Sequence, residues 1–155
     1  MPQPVVSRLK VRPATPDDIS AMLQIEKRAV TASHWSLQQY QSLFSKHPHS
    51  SALVIEDHSG IHGFLIARAV GSEWEIENLA IAGAARRRGL GTRLLGEFLD
   101  RVRRDGGESV FLEVRESNQA ARSLYENWAF VESGRRKNYY RQPDESAVVY
   151  RLRFG

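Results

Sequence analysis

Between a strand-like apolar pattern and an amphipathic helix pattern, the chain reads Arg86-Arg87-Arg88-Gly89-Leu90-Gly91-Thr92. Upstream, Trp74 to Ile81 has the apolar content of a strand, and Ala82 to Arg88 is a short connection. Downstream from Gly89, the residues Leu90, Leu94, Leu95, Phe98, Leu99 and Val102 recur at helical spacing and form a stripe to be buried. Gly106-Gly107 stops that helix. Ser109 to Arg115 is a second strand, with Val110, Leu112 and Val114 on one face and Phe111, Glu113 and Arg115 on the other. Strand, helix and strand in this order imply parallel neighbours in one sheet.

The rest of the chain reads as antiparallel additions. Val11 closes a short first strand and Pro13 ends it. Thr15-Pro16-Asp17-Asp18 opens a helix, with Thr15 as cap, Pro16 at its first position and two aspartates at the positive end of its dipole. Ile19, Met22, Leu23, Glu26 and Val30 follow at helical spacing. Ser36 caps a second helix whose apolar face is Leu37, Tyr40, Leu43 and Phe44. Ser51–Glu56 and Ile61–Val70 pair as a hairpin around Asp57-His58-Ser59-Gly60 and extend through Gly71-Ser72 to Trp74–Ile81. Asn118 caps a helix to about Asn127, and a last pair spans Val131–Tyr139 and Ala147–Phe154. The expected order is β-α-α-β-β-β-α-β-α-β-β: an α/β (α+β) mixed sheet in a single domain over residues 1–155, with its core at about 11–154.

Composition excludes several chemistries. The 155 residues contain no cysteine, so there is no disulfide framework, no thiolate zinc site and no thiol nucleophile. No apolar run reaches the roughly 18 residues that span a membrane, and Met1 to Lys10 lacks the apolar region of a secretory signal. A cytoplasmic protein with no membrane partner is expected. The histidines form no helical pair, and no metal is expected. A formal charge of +4 points to an acidic, phosphate-bearing ligand. Arg101, Arg103 and Arg104 read as a solvated helix face, so direct nucleic-acid binding is not expected.

The arginine–glycine segment is itself an anion cradle. Its glycines let the backbone turn and approach a ligand, and the helix beyond offers unpaired N–H groups. It is not a dinucleotide fingerprint, which would need glycine at Leu94, and not a P-loop, because no Gly-Lys-Ser/Thr follows. The pattern R-x-x-G-x-G at Arg86, Gly89 and Gly91 resembles the acetyl-CoA pyrophosphate loop of the GNAT (GCN5-related N-acetyltransferase) superfamily. Four further segments narrow the resemblance to the bacterial ribosomal-protein-alanine N-acetyltransferases, the RimI-like branch. They are His34-Trp35-Ser36; Asn78-Leu79-Ala80-Ile81; Leu112-Glu113-Val114-Arg115-Glu116-Ser117-Asn118 with Leu124-Tyr125-Glu126; and Arg136-Lys137-Asn138-Tyr139-Tyr140. Three positions depart from that pattern. Ala129 replaces a glycine before Phe130, Glu77 replaces an apolar strand residue, and Ser146 stands where an acid is common.

The resemblance implies the acyl-CoA N-acyltransferase fold, with acetyl-CoA as co-substrate. It implies cofactor contacts from Arg86, Arg87, Arg88, Gly89, Leu90, Gly91 and Thr92, from Asn118, and from the main chain of Leu79, Ala80 and Ile81. Glu113 becomes the proton acceptor and Tyr125 the acid for the leaving thiolate. The plainer readings are a strand glutamate paired with Arg115, a core tyrosine, and an Asn118 that only caps a helix. Trp35, Tyr139 and Tyr140 are candidates to line a peptide groove.

Without cysteine an acyl-thiol enzyme is excluded, so direct transfer in a ternary complex is expected. An α-amine is about one part in seven neutral at pH 7, whereas a lysine is about one part in 2,500. One carboxylate relay therefore suits an N-terminus better than a lysine. The expected activity is N-terminal acetylation of a protein, with the alanine of a ribosomal protein as the implied substrate. The competing expectations are transfer to lysine or a small amine, and a non-catalytic CoA- or RNA-binding module.

Overall fold

The computed structural model describes residues 8–29, 35–45, 49–83, 89–141 and 144–155. Seven strands form one sheet in the order β1-β2-β3-β4-β5-β7-β6. They are β1 (Lys10–Pro13), β2 (Ser50–Asp57), β3 (Gly60–Val70), β4 (Glu73–Ile81), β5 (Ser109–Arg115), β6 (Val131–Tyr140) and β7 (Glu145–Arg153). The helices are α1 (Ile19–Arg28), α2 (Leu37–Leu43), α3 (Leu90–Arg104) and α4 (Gln119–Asn127), so the element order is the one the sequence predicts.

Two apolar clusters lie on opposite faces of the sheet. On one, α3 buries Leu90, Leu94, Leu95, Phe98, Leu99 and Val102, the six residues of its stripe, against Leu53, Leu65, Ile76, Val110 and Leu112. On the other, Ile19, Met22 and Ile25 of α1 and Tyr40 of α2 pack on Val54, Phe64, Ile66 and Ala80. The strand alternation sends neighbouring residues to opposite clusters, so a one-residue slip would invert both faces.

The structure corrects three details. In α1 the buried apolar stripe runs through Ile25 rather than Leu23, which is only partly buried. Leu37 is 52% exposed, so the apolar face of α2 rests on Tyr40. Thr15 opens a 3-10 turn, Pro16–Asp18, before α1, and the bond there is made by Asp18, whose Oδ2 accepts the Thr15 N–H at 2.7 Å. Asp18 is buried because Arg12 forks onto it at 2.8 and 2.9 Å, while the same guanidinium reaches Glu56 of β2 at 2.8 Å. Val30 and His34, named in the sequence analysis, lie outside the described residues.

What positions the site is the junction of β4 and β5. All neighbouring strands are antiparallel except this parallel pair, which matches only Glu73–Glu75 with Ser109–Phe111. Beyond those residues β4 and β5 share no register partners and part from one another. Among the described residues, the β4 stretch Leu79–Ile81 pairs with β3 on one side and with no strand on the other. A bulge adds to the divergence: Ile66 opposes Asn78 and Ala67 opposes Ile76, leaving Glu77 as the extra residue.

Candidate active site

Of the predicted site residues, Leu79, Ala80 and Ile81 lie on β4 and Glu113 on β5, the two strands that part. On the β4 side, Leu79 and Ile81 send their side chains to the α3 cluster and Ala80 to the α1 cluster. Their side chains are ordinary core, so any ligand contact here comes from the free backbone edge. Glycine begins α3: Gly89 has φ 72° and ψ 15°, the left-handed conformation that favours glycine, and no side chain caps the helix. The N–H groups of the first turn, at Leu90, Gly91 and Thr92, therefore lack the intrahelical partners that later residues have. A Cβ built on Gly91 would meet nothing nearer than Leu124 Cδ2 at 3.5 Å, an ordinary contact. Packing alone does not demand glycine there. This uncapped, glycine-lined helix start suits a phosphate group. Arg86, Arg87 and Arg88 lie outside the described residues.

On the β5 side, Glu113 lies between Phe111 and Arg115 on the face turned away from Val110, Leu112 and Val114, as the alternation predicts. Its side chain is 16% exposed, and Oε1 lies 3.0 Å from Nε of Arg136 on β6. The Arg115 guanidinium pairs with Glu145 at 3.3 Å and lies over the Tyr140 ring at 4.4 Å. Arg136 in turn lies over the Tyr139 ring at 5.0 Å, and the two tyrosine rings meet edge to face at 5.2 Å. Asn138, at φ 53°, falls where the β6–β7 register shifts between Arg136 and Tyr140. That shift places Arg136, Tyr139 and Tyr140 together.

Tyr125 projects from α4 into the core, 5% exposed, with Phe130 at 5.5 Å and Tyr150 at 6.3 Å between ring centroids. Burial, helped by the neighbouring Tyr140 phenol, pushes its hydroxyl well above the ordinary phenol range. Burial also pushes Tyr140 up to about 12, with Glu113 adding to the shift. Glu113, Tyr140 and Tyr125 thus share one electrostatic neighbourhood, with a carboxylate at one end and a phenol that stays protonated at the other. Asn118 caps α4, its Oδ1 accepting the Ala121 N–H at 3.1 Å.

Trp35 packs against the apolar cluster on the α1 face of the sheet. Its N–H donates to Glu26 Oε1 at 2.8 Å, and the same oxygen accepts Asn78 Nδ2 of β4 at 3.0 Å. Its ring lies 5.6 Å from that of Tyr40. The structure therefore attaches Trp35 to β4 through Glu26 and gathers Tyr139 and Tyr140 with Arg115 and Arg136 beside β5. Burial raises the carboxyl of Glu77 in the bulge. Two residues of the site escaped the sequence reading, Arg136 as partner of Glu113 and Glu26 as partner of Trp35. The first left no local signal. The second did, since a charge stands in the apolar stripe of α1.

The acetyltransferase (GNAT) family model matches residues 18–130. A protein of Salmonella typhimurium named [ribosomal protein bS18]-alanine N-acetyltransferase is 35% identical over 137 residues, covering 87% of this chain and 90% of that protein. The Escherichia coli protein of the same name is 33% identical with the same coverage. The crystal structure of the ribosomal-protein-S18-alanine N-acetyltransferase from Escherichia coli superposes with a TM-score of 0.86 at 30% identity, covering 94% of both chains. Ard1 from Thermoplasma volcanium gives 0.86 at 26% identity, covering 95% of this chain and 98% of that one. The chain belongs to the GNAT family of acetyltransferases, and it is an N-acetyltransferase with acetyl-CoA as co-substrate.

Proposed function

We propose that the protein acetylates the N-terminal α-amine of a protein substrate, and that this substrate is the alanine-starting N-terminus of ribosomal protein bS18, as in the relatives of that name. The observation that carries this reading is the recessed carboxylate of Glu113 on β5, the strand that parts from β4; the buried phenol of Tyr125 on α4 supports it. The ion-pair partner of Glu113 is Arg136 on β6. One carboxylate base suits an amine that is already partly neutral at pH 7.

Acetyl-CoA supplies an activated acetyl thioester. Gly89, Leu90, Gly91 and Thr92 hold its phosphates through first-turn N–H groups, with Arg86, Arg87 and Arg88 adding charge. The free backbone edge of Leu79, Ala80 and Ile81, together with Asn118, aligns its arm. Glu113 accepts the proton of the attacking amine, directly or through water, and Tyr125 offers its hydroxyl hydrogen to the departing sulfur. Trp35 on one side and Tyr139 and Tyr140 on the other border the incoming peptide. The amine forms its bond to the acetyl carbon directly, in a ternary complex.

Mass spectrometry of a peptide panel incubated with acetyl-CoA tests the reading. Peptides beginning with free alanine should gain an acetyl group at the α-nitrogen. Equal modification of N-terminally blocked, lysine-containing peptides would overturn it.

A further inference from the structure

Glu26 is a carboxylate where the fold would accept a leucine. It is 3% exposed and shares the buried face of α1 with Ile19, Met22 and Ile25. Among the described residues no cation pairs with it; the Trp35 backbone N–H and the Asn78 side-chain amide both donate to Oε1, and the Tyr40 phenol lies beside the carboxylate. Burying a carboxylate is costly unless hydrogen bonds compensate it, and an apolar residue of similar volume often stabilises a core as well. Packing alone therefore gives no reason for this side chain. Its bonds do, because they join two elements that pack without touching in sequence.

Trp35 lies just before Ser36, the cap of α2, whose Oγ accepts the Gln39 N–H at 3.2 Å. Asn78 lies directly after the β4 bulge and begins the run Asn78–Ile81. The far side of Trp35 meets a chain of ring contacts: Trp35 lies tilted against Tyr40 at 5.6 Å, and Tyr40 meets Phe64 edge to face at 6.2 Å. Phe64 is the register partner of Ala80. Trp35 is thus referenced to β4 twice, once through the Glu26 carboxylate and once through aromatic packing. Burial and the nearby Glu26 charge both push the Tyr40 phenol up, which keeps it neutral.

We infer that Glu26 is a positioning residue: it holds the Trp35 border of the acceptor groove in fixed register with the strand that aligns the acetyl donor. The inference rests on the reading that Trp35 borders that groove. It requires reach rather than charge, since one oxygen must meet two donors on separate elements.

Glu26→Gln and Glu26→Asp in the full chain separate these. Glutamine keeps the length and an acceptor oxygen; aspartate keeps the charge and loses one methylene. Peptide KM should rise about tenfold or more in Glu26→Asp and stay within about threefold in Glu26→Gln. The KM for acetyl-CoA should stay within about twofold of the parent protein in both. Hydrogen exchange at the Trp35 amide should quicken about tenfold in the aspartate variant only. Aspartate kinetics and exchange equal to those of the parent would overturn the inference. So would a glutamine variant as impaired as aspartate, or a loss confined to acetyl-CoA KM. If the parent protein acetylates no α-amine, the substrate reading fails, while exchange at Trp35 still decides whether the clamp exists.

Discussion

Nε of Arg136 lies 3.0 Å from Oε1 of Glu113, and the same guanidinium lies over the ring of Tyr139. The proposed base is therefore already engaged by a cation when no amine is present. An incoming ammonium finds a carboxylate poised for positive charge and must share or displace a side chain that is 58% exposed. Exposed ion pairs are worth about 0.2–1 kcal/mol, so this one can yield at small cost. Arg136→Gln is expected to lower peptide KM by about two- to threefold, a difference that initial-rate kinetics at low ionic strength resolves.

Glu113→Gln removes the proton acceptor and preserves size. A loss of about 100-fold or more in kcat is expected, with acetyl-CoA affinity by calorimetry unchanged. A non-catalytic CoA-binding module would show no such loss.

Tyr125→Phe keeps the ring that packs on Phe130 and Tyr150 and deletes only the hydroxyl. Activity should fall by about 10-fold or more while the melting temperature moves little, because the deleted group is not the source of the packing. A large drop in melting temperature with activity per folded molecule retained would instead assign Tyr125 to the core alone.

Ala129 has φ 68°, a left-handed conformation at which a Cβ is strained. Here the departure from the family's glycine has a direct structural cost. Ala129→Gly is expected to stabilise the fold by about 1 kcal/mol, a rise in melting temperature of about 2–4 °C by calorimetry.

Arg12 holds the carboxyls of Asp18 and Glu56 below their usual values, chiefly through its hydrogen bonds. A carboxyl lowered in the folded state stabilises the fold above its unfolded pKa of about 4 and loses that contribution as pH falls through the folded value. Stability should therefore decline below about pH 4 in the parent protein. Arg12→Met should cost about 3 kcal/mol at pH 7, because Asp18 is left buried without its partner, and less at pH 3, where Asp18 can take a proton. Urea midpoints at the two values measure the difference.

Much of this architecture was legible from periodicity. The stripe of α3, the alternation of β5 and the caps Ser36 and Asn118 are local signals, and each appears where it was expected. Glu113 could be placed on the outward face of β5 from alternation alone. Its partner could not, because Arg136 reaches it across a register shift between β6 and β7 that no local pattern encodes. The exposed Leu37 failed for a related reason: a seven-residue helix buries one anchor, Tyr40, and its apolar spacing does not say which residue that is. Parting of β4 from β5 is likewise a property of pairing over only three residues, which the composition of neither strand announces.

The central claim is that this site favours an α-amine over a lysine. Its sharpest test is the ratio of kcat/KM for an alanine-starting peptide with a free N-terminus to that for the same peptide, N-terminally blocked and carrying one lysine. The difference in neutral fraction at pH 7 alone predicts a ratio of about 100 or more. A ratio near one, or one favouring the blocked peptide, would contradict the account.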